Sequence, residues 1–220
     1  MDKEERKIIT DLFKEFQGKY STLLGIKLDG DNPRQLFRWF LASLLYGAPI
    51  SGGTAERTYR EFIGSGIDTP RKIIDAGWED IVKELDAGGY TRYDFKTADK
   101  LLDVSENLLR DYHGDLNLLH DIAMDGEDLK IRLTALGKGV GEVTVNIFLR
   151  ELRGIWPKAR PMLSPYALSA ARRLGLVKPD EDPPIALLKV WGKGLPGRDF
   201  RDLEAALVRA GIAMRRKKVA

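Results

Sequence analysis

Cysteine is absent from the 220 residues, and histidine is represented only by His113 and His120. The first absence excludes a disulfide framework and any thiolate-held zinc or iron–sulfur cluster. The second leaves too few imidazoles for a histidine-built metal site. No apolar run of about 18 residues occurs, so nothing in the sequence reads as a membrane span. The opening Met1-Asp-Lys-Glu-Glu-Arg6 is too charged for a secretory leader, and a cytoplasmic protein is expected. Neither sign of charge dominates, with 36 Lys and Arg against 33 Asp and Glu. That balance excludes a polybasic field, although a pI near 9.0 leans toward anionic partners. Alternation of apolar and polar residues over several positions is also missing, so no strand is expected.

What is present is helical periodicity, in a chain long enough to bury one or two small cores. Ile8, Ile9, Leu12, Phe13 and Phe16 recur at helical spacing over 3–19. After an Asp29-Gly-Asp-Asn-Pro33 turn, residues 33–46 are too apolar for a surface helix and should lie centrally. Thr54 and Thr69 read as N-caps, for helices over 55–63 and from Pro70 to about Gly77. Further helices are expected at 78–85, 94–112, 116–123, 126–136, 142–152 and 166–174. The long one, 94–112, carries an apolar stripe of Phe95, Ala98, Leu101, Leu102, Val104, Leu108 and Leu109. Lys178–Pro184 reads as a surface linker to a last element with Leu187, Val190 and Trp191. A helix from Asp199 to Ala210 and a solvated basic tail, Arg215-Arg-Lys-Lys218, complete the chain.

Residues 136–150, Leu-Gly-Lys-Gly-Val-Gly-Glu-Val-Thr-Val-Asn-Ile-Phe-Leu-Arg, are the most informative stretch. Gly139 and Gly141 keep Cβ atoms away from the turn, and Val140 between them can plug it into the core. The first N–H groups of the helix from Glu142 would point outward, and a helix N-terminus favours anions. Hydrophobic-Gly-hydrophobic-Gly before a helix is how a helix-hairpin-helix grips a nucleic-acid phosphate. On these residues alone that reading stands beside a plain glycine-rich turn. Lys138 at the tip suits a phosphate contact, and Thr144 lies one turn into the following helix.

Several segments in order resemble the endonuclease III-like, helix-hairpin-helix (HhH-GPD) DNA glycosylases. Leu36 to Phe62 resembles that family's early helix–loop–helix. Gly88-Gly-Tyr90 followed by Lys96-Thr-Ala98 is similar to its Gly-Tyr-x-x-Lys-Ala turn, and Gly139-Val-Gly141 with Thr144 and Asn146 to its hairpin pattern. Arg173-Leu-Gly-Leu176 resembles the run that closes its catalytic-loop helix. The resemblance implies an all-α, bilobal body. A central barrel-like lobe would span 33–134. The second lobe would join 1–32 to 135–220 and carry the helix-hairpin-helix near 129–152 and a C-terminal extension. It further implies double-stranded DNA as partner and a cleft for a flipped-out base. The sequence does not fix the oligomeric state, for which a monomer is favoured, and a cytoplasmic protein would be nucleoid-associated if it binds DNA.

The positions that carry the family's chemistry depart from its pattern. Its Schiff-base lysine falls on Val143, whose side chain cannot attack a sugar carbon. Its catalytic aspartate, nine residues before Arg173, falls on Ser164, followed by Pro165 and Tyr166. A neutral serine cannot stabilise an oxocarbenium-like cation as a carboxylate does. The glutamine that fills the vacated base pair falls on Ala48. No cofactor is therefore expected, although the resemblance allows a monovalent cation at the hairpin. Glu142 is the nearest substitute acid, with a first-turn carboxylate favouring the helix dipole as its plainer role. Tyr166 is a cleft candidate in the position of the family's histidine. The expectation is a duplex-DNA-binding protein contacting phosphate through Lys138, Gly139, Val140, Gly141 and Thr144, without the usual glycosylase or lyase chemistry. An active monofunctional glycosylase with a relocated acid, and a protein-interaction module that has lost DNA, stay open as alternatives.

Overall fold

A computed structural model describes residues 3–28, 32–192 and 199–219. Asp29, Gly30 and Asp31 of the expected turn, and the side chains of Val190, Lys217 and Lys218, lie outside the described residues. Among the described residues the chain is all-α, with no strand. The helices are α1 (Lys3–Glu15), α2 (Tyr20–Leu23), α3 (Pro33–Tyr46), α4 (Gly52–Gly64), α5 (Pro70–Ala87) and α6 (Asp94–Tyr112). They continue with α7 (Leu116–Ile122), α8 (Gly126–Ala135), α9 (Glu142–Arg150), α10 (Pro165–Arg173), α11 (Pro183–Gly192) and α12 (Phe200–Val219).

Side-chain caps set many of the helix starts. Asn32 accepts from the amides of Arg34 and Gln35, and Pro33 occupies the first turn of α3. Thr69 caps α5 by accepting from Lys72, as its position before Pro70 predicts. The cap of α4 is Ser51 rather than Thr54. Ser51 Oγ accepts from the Thr54 amide at 3.0 Å, so the helix begins two glycines earlier than expected. Helix α5 holds both segments foreseen on either side of Gly77, which breaks the helical path with φ 73°.

Two compact units form, one of Leu24–Arg160 and one of the terminal segments up to Leu23 and from Pro161. The hairpin at 136–141 belongs to the first unit, whereas the sequence reading grouped it with the termini. The reason is local: α3, α6 and α9 of that unit hold it.

In the Leu24–Arg160 unit α3 is the centre. Leu36, Phe37, Trp39, Phe40, Leu41, Leu44 and Leu45 are all buried, each such side chain contributing about 1.5–3 kcal/mol over exposure. Trp39 Nε1 donates to Phe148 O at 3.0 Å, and Phe40 meets the Phe148 ring edge-on, which fixes α9 against α3. Glycines permit the tightest crossings. A Cβ built on Gly47 would stand 2.0 Å from Thr144 Oγ1. One built on Gly88 would stand 2.3 Å from Thr58 Cα, bringing the end of α5 onto α4.

In the terminal unit, Ile9, Leu12 and Phe13 of α1 join Ala167, Ala170 and Ala171 of α10 and Leu203, Ala206 and Leu207 of α12 in one core. The expected helix end at Ala210 is not observed, and α12 runs through Gly211 into the basic tail. A Cβ at Gly211 would lie 2.2 Å from Tyr166 O, so this glycine serves the approach of α10 rather than a helix stop. Arg209 closes the unit by donating to Gly18 O at 2.7 Å and stacking over Tyr20. The expected linker 178–184 is shorter, because Asp182 accepts from the Ile185 amide at 3.1 Å and caps α11 within it.

One buried carboxylate gathers three cations. Asp68, in the turn before α5, has a side chain only 1% exposed. It accepts from Arg34 Nε at 2.8 Å, Arg38 Nε at 2.9 Å and Lys72 Nζ at 3.1 Å. Burial alone would raise its pKa, but the hydrogen bonds from Arg34, Arg38 and Lys72 outweigh it and hold the carboxyl below the usual 3.8. Tyr59 nearby is pushed up to about 12, chiefly by burial.

Two expectations on stability follow. Asp68→Asn should cost about 2 kcal/mol at neutral pH, less than a fully buried pair because Arg34 and Lys72 are half-exposed. A depressed folded pKa stabilises above the unfolded value and is lost as pH falls through the folded one. Urea titrations should therefore show the wild-type advantage shrinking below about pH 4; an advantage independent of pH in that range would refute this account. Gly47→Ala should cost about 2 kcal/mol and be partly restored by Thr144→Ala, since the nearest obstacle is the buried Thr144 hydroxyl. Gly88→Ala should cost about 3 kcal/mol and resist rescue by Thr58→Ala, since the obstacle includes backbone.

Candidate functional site

The turn between α8 and α9 is built from both sides. Asp125 caps α8 by accepting from the amides of Glu127 and Asp128, and buried Leu136 follows the helix as its C-cap. Val140 N donates to Gly137 O at 3.1 Å, closing the turn, and Gly139 takes φ +86°, a conformation that disfavours any side chain. Val140 is 2% exposed and plugs the turn into the core, as its place between two glycines predicts.

Helix α6 supplies the other side. Asn107 Nδ2 donates to Leu136 O at 2.8 Å. A Cβ on Gly137 would lie 2.8 Å from Val104 Cγ2, and one on Gly139 would lie 3.2 Å from Lys100 Cε and 3.8 Å from its Nζ. Residues 100, 104 and 107 stand about one helical turn apart and share one face, so a single stripe of α6 cradles 136–139. Lys100 and Asn107 escape the sequence reading because they flank the apolar stripe rather than belong to it. Their spacing from Val104 is the signal that could have found them. The Lys100 ammonium is half-buried, and burial pulls its pKa below the usual lysine value.

Helix α9 begins openly. Gly141 is its N-cap with an ordinary φ of −100°, and no side chain caps the helix. A Cβ on Gly141 would meet nothing within 4 Å. Glu142 is exposed in the first turn, and Val143 beside it is 62% exposed.

The structure brings Lys138, Gly139, Val140, Gly141, Glu142 and Val143 together at one turn, with Lys138, Gly139 and Gly141 on the surface. Thr144 is a correction: it is buried at 3%, with its hydroxyl against Gly47, so it positions α9 and offers nothing outward. Ala48, just past that crossing, is half-buried. Ser164 accepts from the Ala167 amide at 3.2 Å and is the N-cap of α10, a role a hydroxyl fills as well as a carboxylate. Tyr166 belongs to the terminal unit, half-buried, where its hydroxyl accepts from Arg215 Nη1 at 2.8 Å. Arg215 of the expected solvated tail thus has an internal partner.

Among the basic residues that could extend the surface, Arg92, Lys96, Arg160 and Arg172 are exposed. Arg150 is buried at 3%, and Lys158 donates to the carbonyls of His120 and Asp121 at the end of α7. His120 stacks on Trp156 with centroids 4.7 Å apart and belongs to the core. Phe95 leaves the expected buried stripe and packs on Trp78 at the surface, 5.1 Å between centroids. Among the described residues no group of three or more His, Asp or Glu could hold a metal ion, and no helix is long and apolar enough to cross a membrane. Searches for similarity find no family model that matches this chain, and no curated protein that matches it.

Proposed function

We propose that this chain is a duplex-DNA-binding protein with a glycosylase-like, bilobal fold, gripping phosphate at 138–141 and lacking the usual excision chemistry. The observation that carries the reading is Gly141. Its backbone angles suit any residue, and no neighbour crowds it, so nothing inside the molecule requires glycine there. A phosphate drawn close to the uncapped start of α9 would give glycine a role there, because its backbone leaves the approach to the first amides free of any side chain. Lys138 beside it adds a long-range attraction that salt screens. Backbone and lysine contacts of this kind read phosphate rather than sequence, so binding should be largely indifferent to base order.

The missing chemistry follows from the side chains. Val143 carries no amine, Ser164 is committed to capping α10, and Glu142 stands in solvent, where it complements the helix dipole. None of them supplies a desolvated carboxylate beside a sugar.

Gly141→Ala should leave the unfolding midpoint near that of the wild type while weakening binding to a labelled duplex about tenfold, the loss of one charge-assisted hydrogen bond. Unchanged affinity would remove the hairpin from the interface. Single-turnover incubation with duplexes bearing uracil, a T·G mismatch, 8-oxoguanine, an alkylated purine or an abasic site should give salt-sensitive binding without base release. Release abolished by Glu142→Gln would instead establish an active glycosylase with a relocated acid.

A further inference from the structure

Lysines pack their stems on apolar surface and keep their ammonium groups in water or against a carboxylate. Lys100 does neither fully. Its stem lies against Gly139, the glycine held at φ +86°, and its Nζ reaches the hairpin on the side where a Cβ would project. No carboxylate among the described residues pairs with it. Asp103, one turn further along α6, is exposed and approaches Gly137 through its Cβ without closing an ion pair. A half-buried cation without a counter-charge costs stability, and a methionine of similar length would fill the same space without that cost.

We infer that Lys100 is a second phosphate ligand of the hairpin, held against Gly139 from below while Lys138 approaches from the exposed tip. This rests on the DNA-binding reading above and names a contact that it does not contain. The counter-charge missing from the protein is supplied by the DNA backbone. Because the stem is packed, this ammonium is already placed when DNA arrives, whereas Lys138 must be ordered on binding. The two lysines and Gly139 therefore act as one unit, in which an anion offsets a charge that the fold leaves uncompensated.

The test is a salt series of anisotropy titrations on a short labelled duplex, run with wild type, Lys100→Met and Lys100→Arg, beside thermal unfolding of each. Lys100→Met should bind more weakly, and its slope of log affinity against log salt should flatten by about 0.9, the value of one phosphate contact. Its thermal midpoint should equal or exceed the wild-type value, and Lys100→Arg should keep the wild-type slope. Lys14→Met, at an exposed lysine of α1 paired with Asp11, should change neither quantity. A Lys100→Met protein with wild-type affinity and slope overturns the inference and leaves the hairpin reading standing. A lowered thermal midpoint also overturns it, because the lysine would then serve the fold. Absence of salt-dependent binding by the wild type would sink the DNA-binding reading itself, and this inference with it.

Discussion

The hairpin's position depends on one close crossing, where α9 lies so near the end of α3 that Gly47 must lack a side chain and Thr144 fills the niche. The Trp39 indole ties the same two helices through Phe148 O, deep in the core. Helix α3 is buried along most of its length, so it offers a rigid reference, and whatever is keyed to it inherits that rigidity. The first turn of α9 is keyed to it. Gly141, Glu142 and Val143 consequently face solvent as a consequence of which face of α9 is buried.

The second support comes from α6. Asn107 satisfies the Leu136 carbonyl, Val104 accepts the close approach of Gly137, and Lys100 underlies Gly139. A turn with this many glycines would be costly to order in isolation, since each loses more backbone freedom than any other residue. Here that cost is offset by Val140, which is driven into the core, and by contacts from one face of a long, regular helix. The outcome is a rigid turn whose outer backbone stays unobstructed, which is the property an anion-binding loop needs.

Charge is organised at two levels. Around Asp68 the cations are consumed internally, three of them on one carboxylate, and they tie α3 to the turn before α5. Elsewhere Arg209, Lys158 and Arg215 are spent on carbonyls and on a phenol, closing helix ends and joining segments. Of the basic residues in the sequence, then, a good part are structural. Lys138 and Lys100 at the hairpin differ in having no such internal partner among the described residues. Glu142 and Asp103 stand near the same turn, also exposed, so what sets the two lysines apart is the lack of an ion pair rather than an excess of charge.

Periodicity and caps made much of the helix inventory legible. Asn32-Pro33, Thr69-Pro70 and Ser164-Pro165 place helix starts by local hydrogen bonding, and the apolar run of 33–46 announces a buried helix, because these effects act within a few residues. Val140 as a plug between glycines was legible for the same reason. The burial of Thr144, the burial of Arg150, the surface position of Phe95 and the passage of α12 through Gly211 were not legible. Three of these depend on a partner distant in sequence: Gly47 for Thr144, Trp78 for Phe95, and Tyr166 O for Gly211. Lys100 was hidden for that reason too, since a lysine beside an apolar stripe reads as solvated until the turn at 136–139 is laid across it. Local chemistry in the chain thus determined which segments are helical and where they start. The tertiary packing decided which of their side chains face a neighbour and which remain open, because that depends on approaches between backbones that no local pattern encodes.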